Sequence, residues 1–322
     1  MFRVKQSVTY LLIVGLFALV YQNSFCCAVV YSQEADLKYT KQLGTKGIEQ
    51  GQFTNPHSLA VDNIGNIYVG DTGNKRIQKF SPNGTFILSW GSVGSNDGQF
   101  SGLHDLAVDP EGKFVYSVEL KNHRVQKFDS SGSFITKWGY NGTGGRDSMK
   151  APHQIVVNSV GNVYLTDPNG NQILKYYDNG TFIGTIGSTG TDPGKFNGPH
   201  GIAIDAKDNF YVTDMKNYRI QVFDNKDSFV RQWGSSGIGG GQLSETVPGI
   251  AIDNNNHVYV VDKIKSRVLM YDNTGNYLSN WGSDGNGPQQ LHKPEDIAVN
   301  NQGDIYITDT RNSRLQVLHL EQ

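Results

Sequence analysis

Cysteine is almost missing from this chain: its 322 residues include 2, and they are neighbours, Cys26 and Cys27. A disulfide framework or a cysteine-ligated zinc centre is therefore excluded from the remainder. A dominant charge is lacking too, and a formal net charge of -2 gives no global attraction to nucleic acid or to an anionic membrane. There is no nucleophile elbow, no metalloprotease helix motif and no phosphate-binding glycine loop ahead of a helix. Nor do adjacent carboxylates form the distinct pair that glycoside hydrolysis uses.

The chain starts with a basic segment carrying Arg3 and Lys5, followed by an uncharged, mostly apolar run over residues 8–21. That order reads as a secretory signal peptide, with Cys26-Cys27-Ala28 offering small residues for cleavage. Extended to Tyr31, the same run would reach far enough to act as an uncleaved transmembrane anchor. Residues 1–35 are thus assigned to a signal peptide or anchor and residues 36–322 to the folded domain. Either assignment puts the domain outside the cytoplasm, secreted or held at the cell surface.

What is abundant is glycine, 38 residues, interleaved with Asn and Asp in a pattern that suits tight turns rather than helices. An acidic residue recurs at Asp71, Glu119, Asp167, Asp214, Asp262 and Asp309, so neighbouring copies are 47 or 48 residues apart, a period that marks a repeat architecture. Each copy divides into four short runs rich in Val, Ile, Tyr and Phe. In the fourth copy these are residues 201–205, 210–214, 219–223 and 229–233, labelled strands a to d from the inside outward. Hairpin signals such as Asn83-Gly84 and Asn179-Gly180 separate c from d. The expected fold is all-β, a six-bladed β-propeller of four-stranded antiparallel blades. The last copy runs out before its strand d, and residues 38–44 have the form of the missing strand, so this N-terminal strand is expected to join the last blade and close the ring.

The segments Pro56-His57-Ser58-Leu59-Ala60-Val61-Asp62 and Asn66-Ile67-Tyr68-Val69-Gly70-Asp71, with Arg76-Ile77-Gln78-Lys79-Phe80 after them, resemble the NHL repeat. The resemblance extends over about residues 37–322 and implies a six-bladed propeller. It does not select an activity, because enzymes, binding modules and scaffolds share the fold.

Antiparallel order places the start of strand a and the b–c loops on one face of the disc, and the a–b and c–d turns on the other. The b–c loops pair each acidic anchor with an arginine five residues on: Asp71 with Arg76, Glu119 with Arg124, Asp214 with Arg219, Asp262 with Arg267 and Asp309 with Arg314. Gln172 replaces the arginine beside Asp167. A pair repeated in nearly every blade suits a structural ring of ion pairs. Lysine and arginine outnumber acids in these loops, whereas acids dominate the opposite turns, where much of the Asp serves turn chemistry.

The position after the proline at the head of strand a, or after Leu103 in the second copy, reads His57, His104, His153, His200, Gly249 and Glu295. If strand a lines a central channel, these side chains converge at its mouth. Alternate blades give His104, His200 and Glu295 as one set, and His57, His153 and Gly249 as another. Two imidazoles and a carboxylate suit a zinc-like or iron-like divalent ion, with the gap at Gly249 left for water or substrate. The competing reading has the histidines bonding backbone and ordered water. The resemblance supplies a precedent for metal, since peptide-amidating lyases look similar and hold a catalytic zinc on channel histidines. The channel carboxylates of six-bladed lactonases have no expected counterpart.

The leading expectation is an exported, monomeric binding or scaffold module that takes a protein, peptide or small-molecule ligand on the channel-mouth face and requires no cofactor. Nucleic acid is not expected, and membrane contact only through the first segment. The alternative is a metal-dependent lyase or hydrolase. Asn83, Asn141 and Asn179 satisfy the N-glycosylation sequon.

Overall fold

The computed structural model describes residues 36–139, 148–237 and 239–321. Six four-stranded antiparallel sheets stand in chain order as blades of a propeller. The fourth is typical, with strands Pro199–Ile204, Phe210–Asp214, Arg219–Phe223 and Phe229–Trp233. Its innermost strand starts two residues before the sequence reading put it and is irregular between Pro199 and Ile202. In the last blade, Asp36–Leu43 lies antiparallel to Arg314–Glu321, with Leu43 opposite Leu315 and Tyr39 opposite Leu318.

Alternation along each strand sends apolar side chains to both faces of a blade, so the core is divided into layers between neighbouring blades. Leu59, Ile67 and Val69 of the first blade pack with Tyr306, Leu315 and Val317 of the last. Ala60, Tyr68 and Ile77 of the first blade pack with Leu106, Val115 and Phe128 of the second. Strand d carries the outer part of this packing. The Trp90 ring lies 5.9 Å from Phe128 of the following blade. Gly132, at the c–d turn of that blade, holds φ +84°, and a Cβ there would come within 2.7 Å of Trp90. Only glycine satisfies both the left-handed turn and the approach of the indole.

Among the described residues no helix is long and apolar enough to cross a membrane. Residues 1–35, assigned to a signal or anchor, lie outside the described residues, as does the sequon at Asn141. Asn83 and Asn179 are exposed on c–d turns, where their side-chain oxygens accept from Thr85 N (3.1 Å) and Thr181 N (2.9 Å).

Candidate functional site at the channel

The b–c loops are built to one plan. The residue four beyond each acidic anchor is left-handed without being glycine: Lys75, His123, Asn171, Tyr218, Ser266 and Ser313. This reversal turns the following arginine back onto the acid. Arg219 Nε donates to Asp214 Oδ2 at 2.8 Å, and its other nitrogens reach the carbonyls of Thr191, Asp192 and Lys195 in the connecting loop. Asp214 also accepts from Asn197 N at 2.6 Å and Asn217 Nδ2 at 2.8 Å. Asp71, Glu119, Asp262 and Asp309 are likewise fully buried against Arg76, Arg124, Arg267 and Arg314. These arginines are consumed in tying each loop together.

At the channel mouth the ring position is held by His57, His104, His153, His200, Pro248 and Glu295. The fifth member corrects the sequence reading. His57 Nδ1 donates to His104 O (3.0 Å), His104 Nδ1 to His153 O (3.2 Å), and His200 Nδ1 to Pro248 O (3.2 Å), so the carbonyl equivalent to a histidine's belongs to Pro248. Gly249 is no gap, because a Cβ there would meet Glu295 O at 2.8 Å and Asp296 Cα at 2.9 Å.

The grouping differs too. His57, His104 and His200 lean toward the next blade, and consecutive rings touch: centroids are 4.3 Å apart for His57 and His104, 4.4 Å for His104 and His153, and 4.3 Å for His153 and His200. Ligand-capable nitrogens of His104, His153 and His200 all lie within 4.8 Å of one another. The alternate-blade set with Glu295 does not assemble. Glu295 is ion-paired with Lys263 instead, a residue the sequence reading left out of the channel, and lies 3.8 Å from His57 Nε2.

A carbonyl can only accept, so each Nδ1 bonded to one carries the proton and Nε2 is left with its lone pair. His153 follows the rule through Ala151 O at 2.8 Å. Burial lowers the pKa of all four histidines, most for His104 and His200, and keeps the imidazoles neutral near pH 7. Neutral imidazoles with a fixed tautomer are the ligand form for a divalent ion. Nitrogens bound to one zinc lie about 3.4 Å apart, so the rings would have to draw together.

One residue deeper lies a polar layer that blocks the channel. Asp105 and Asp296 share a hydrogen bond across the axis. Asp296 also accepts from Leu59 N (2.9 Å) and Gln154 Nε2 (2.9 Å). Asp105 accepts from Ile155 N (2.8 Å), and Gln154 Oε1 from Ile202 N (3.0 Å). Strand a has a partner on one side only, so its free amides point at the axis, and these three side chains satisfy them. Burial, reinforced by the neighbouring carboxylate, holds Asp105 well above the usual carboxyl range, and burial pushes Asp296 up to about 7. Sequence reasoning missed this layer, although a signal existed: Asp105, Gln154 and Asp296 stand where Gly201 and Gly249 keep the repeat's glycine. The gap between the imidazoles and this layer is too small for a water molecule. On its other side the channel opens into a cavity of about 410 Å³ that faces the opposite end of the disc.

The NHL repeat profile matches residues 53–80, 196–223 and 291–318. A stretch of 77 residues is 35% identical to Protein brain tumor of Drosophila melanogaster, covering 22% of this chain and 7% of that one. A stretch of 48 residues is 46% identical to the B-box type zinc finger protein ncl-1 of Caenorhabditis elegans, covering 15% and 6%. The chain thus matches only a small fraction of the length of these relatives. Among solved structures, streptogramin B lyase superposes with a TM-score of 0.61 at 15% identity, over 89% of this chain and 98% of that one. Virginiamycin B lyase from Staphylococcus aureus gives 0.59 at 14%, over 89% and 100%. A gluconolactonase from Xanthomonas campestris gives 0.61 at 14%, over 89% and 97%. At these identities the likeness is one of fold.

Proposed function

Because this chain is an NHL-repeat β-propeller, we propose that it works outside the cytoplasm as a binding module whose histidine-bearing face takes an acidic segment of a protein or peptide. One observation carries the reading: with the loop arginines neutralised internally, that face still presents cations with no acidic partner. Lys46, Lys121, Lys150, Lys216 and Arg311 are exposed there and form no salt bridge among the described residues. Among the described residues, only Glu49 and Glu245 are exposed acids without a basic partner on the same side, since Asp97, Asp192 and Asp284 are held by Lys137, Lys195 and His292. A surplus of one charge around the channel mouth attracts the opposite charge and aligns it before contact. The export assignment rests on Arg3, Lys5 and the apolar run at residues 8–21.

The test is fluorescence anisotropy of a labelled Asp/Glu-rich peptide with the full chain. Binding is expected at 50 mM salt and should weaken steeply toward 500 mM. The triple variant Lys121→Glu, Lys216→Glu, Arg311→Glu should lose at least tenfold in affinity. Unchanged binding by the triple variant would sink the proposal.

A second reading, a metal-dependent lyase or hydrolase, is favoured by the convergence of His104, His153 and His200 within 4.8 Å. These three residues would hold the ion, which when bound supplies Lewis acidity to a substrate oxygen or a water. The protein's part is to keep the imidazoles neutral and their Nε2 atoms aimed at the axis. Calorimetric titration with zinc should show one site that vanishes in His104→Ala and His200→Ala. A protein that takes up no zinc and keeps its stability in both variants would exclude this reading.

A further inference from the structure

The open end of the channel has a chemistry of its own. Its cavity of about 410 Å³ falls in the size range of small-molecule sites and lies on the face away from the histidines. The wall is aliphatic. Val61, Val108, Ile204, Ile252 and Val299 form its outermost ring and stay partly exposed, so apolar surface is left uncovered inside the tube.

All ionisable side chains lining the cavity are aspartates. Asp105 and Asp296 form the closed end, while Asp205, Asp208 and Asp253 stand at the open end. Lys, Arg and His are absent from the lining among the described residues. The acids at the rim do have hydrogen bonds: Asp208 holds Ser159, and Asp253 accepts from Tyr259 and contacts His257. Apart from that one histidine, no basic side chain among the described residues forms an ion pair with them. The hydrogen bond between Asp105 and Asp296 retains one proton, so the closed end carries at most a single negative charge, and low-dielectric walls concentrate its field and that of the rim aspartates along the tube.

The distance between the two clusters follows from the strand. Gly201, level with Asp105 and Asp296, is four residues before Asp205, which corresponds to about 13 Å of extended chain. A lysine side chain, with its four-carbon stem, stops short of the closed end when its backbone stays outside. We propose that this tube binds a linear diamine: one ammonium at the Asp105–Asp296 end, the methylenes along the aliphatic wall, and the second ammonium among the rim aspartates. The site is separate from the histidine face and does not depend on what that face binds.

Isothermal titration of the full chain with 1,8-diaminooctane tests this, with 1,8-octanediol as the neutral analogue. The diamine should saturate one site and the diol should give no measurable heat. Ile204→Trp, which fills the mouth of the tube, should weaken diamine binding at least tenfold, and Asp296→Asn should do the same with near-UV circular dichroism retained. If Asp296→Asn does not fold, Ile204→Trp and the diol decide the matter. Equal affinity for diol and diamine, or an Ile204→Trp variant that binds the diamine as the parent does, overturns the assignment.

Discussion

Replacing Asp214 by Asn is expected to lower stability by about 3–5 kcal/mol, whereas the equivalent Asp167→Asn should cost about 1–2 kcal/mol. The backbone groups around both anchors are alike: Asp214 accepts from Asn197 N and Asp167 from Ala151 N. The difference is the cation. Arg219 is itself buried and would be left without its counter-charge, while in the third blade Gln172 Nε2 approaches Asp167 Oδ2 at 3.5 Å and no charge is stranded. Urea denaturation at pH 7 measures both. Equal losses in the two variants would mean that the repeated acid acts through its backbone bonds alone, and the arginine ring would lose its structural role.

The second large effect is one of pH. A carboxyl whose pKa is raised on folding keeps its proton in the folded protein after the unfolded chain has released it. Its stabilising contribution is complete below about pH 4 and is lost as pH rises through its folded pKa, about 7 for Asp296 and well above the normal range for Asp105. The four histidines act in the opposite sense. Their pKa values are lowered, so their contribution is complete above about pH 6.5 and is lost as pH falls. Between pH 6.5 and 8.5 the carboxyl pair is the part of the channel still titrating, and stability should fall as pH rises. In Asp105→Asn an amide can supply the donor that the shared proton provided, while its oxygen still accepts from Ile155 N. That variant should therefore lose the alkaline decline and exceed the parent by about 1–3 kcal/mol at pH 8.5, though not at pH 5. Thermal unfolding across this range checks it. Parallel profiles for parent and variant would show that the pair carries no proton of consequence.

The sequence was readable wherever a feature repeats. Six acidic anchors in register gave the number of blades, and the Asn-Gly steps at 83–84 and 179–180 gave c–d turns. Reading failed where one copy departs from the rest. In the fifth copy Val247-Pro248-Gly249 sets the glycine directly after the proline, whereas in the fourth copy His200 stands between Pro199 and Gly201. Counting forward from the proline gives Gly249, whereas counting back from Asp253 gives Pro248, the residue found in the ring. The expected grouping of the candidate metal residues differs for another reason. Sixfold geometry alone suggests alternate blades, but Nδ1 of His57, His104 and His200 bonds the carbonyl of the next blade and tilts the ring sideways, gathering neighbours instead. Lys263 then draws Glu295 away, a contact between b–c loop and channel that no periodicity reveals. The aspartate layer was present in the text of the repeat as a loss of glycine. Its consequence, a closed channel, depends on side chains from the second, third and sixth blades meeting on one axis.

That closure makes the disc two vessels back to back rather than a pipe. A solute entering among the rim aspartates meets Asp105, Gln154 and Asp296 before it can reach an imidazole. Traffic on one side is therefore hidden from the other, and whatever is held at the two ends can be exchanged independently, each on its own clock.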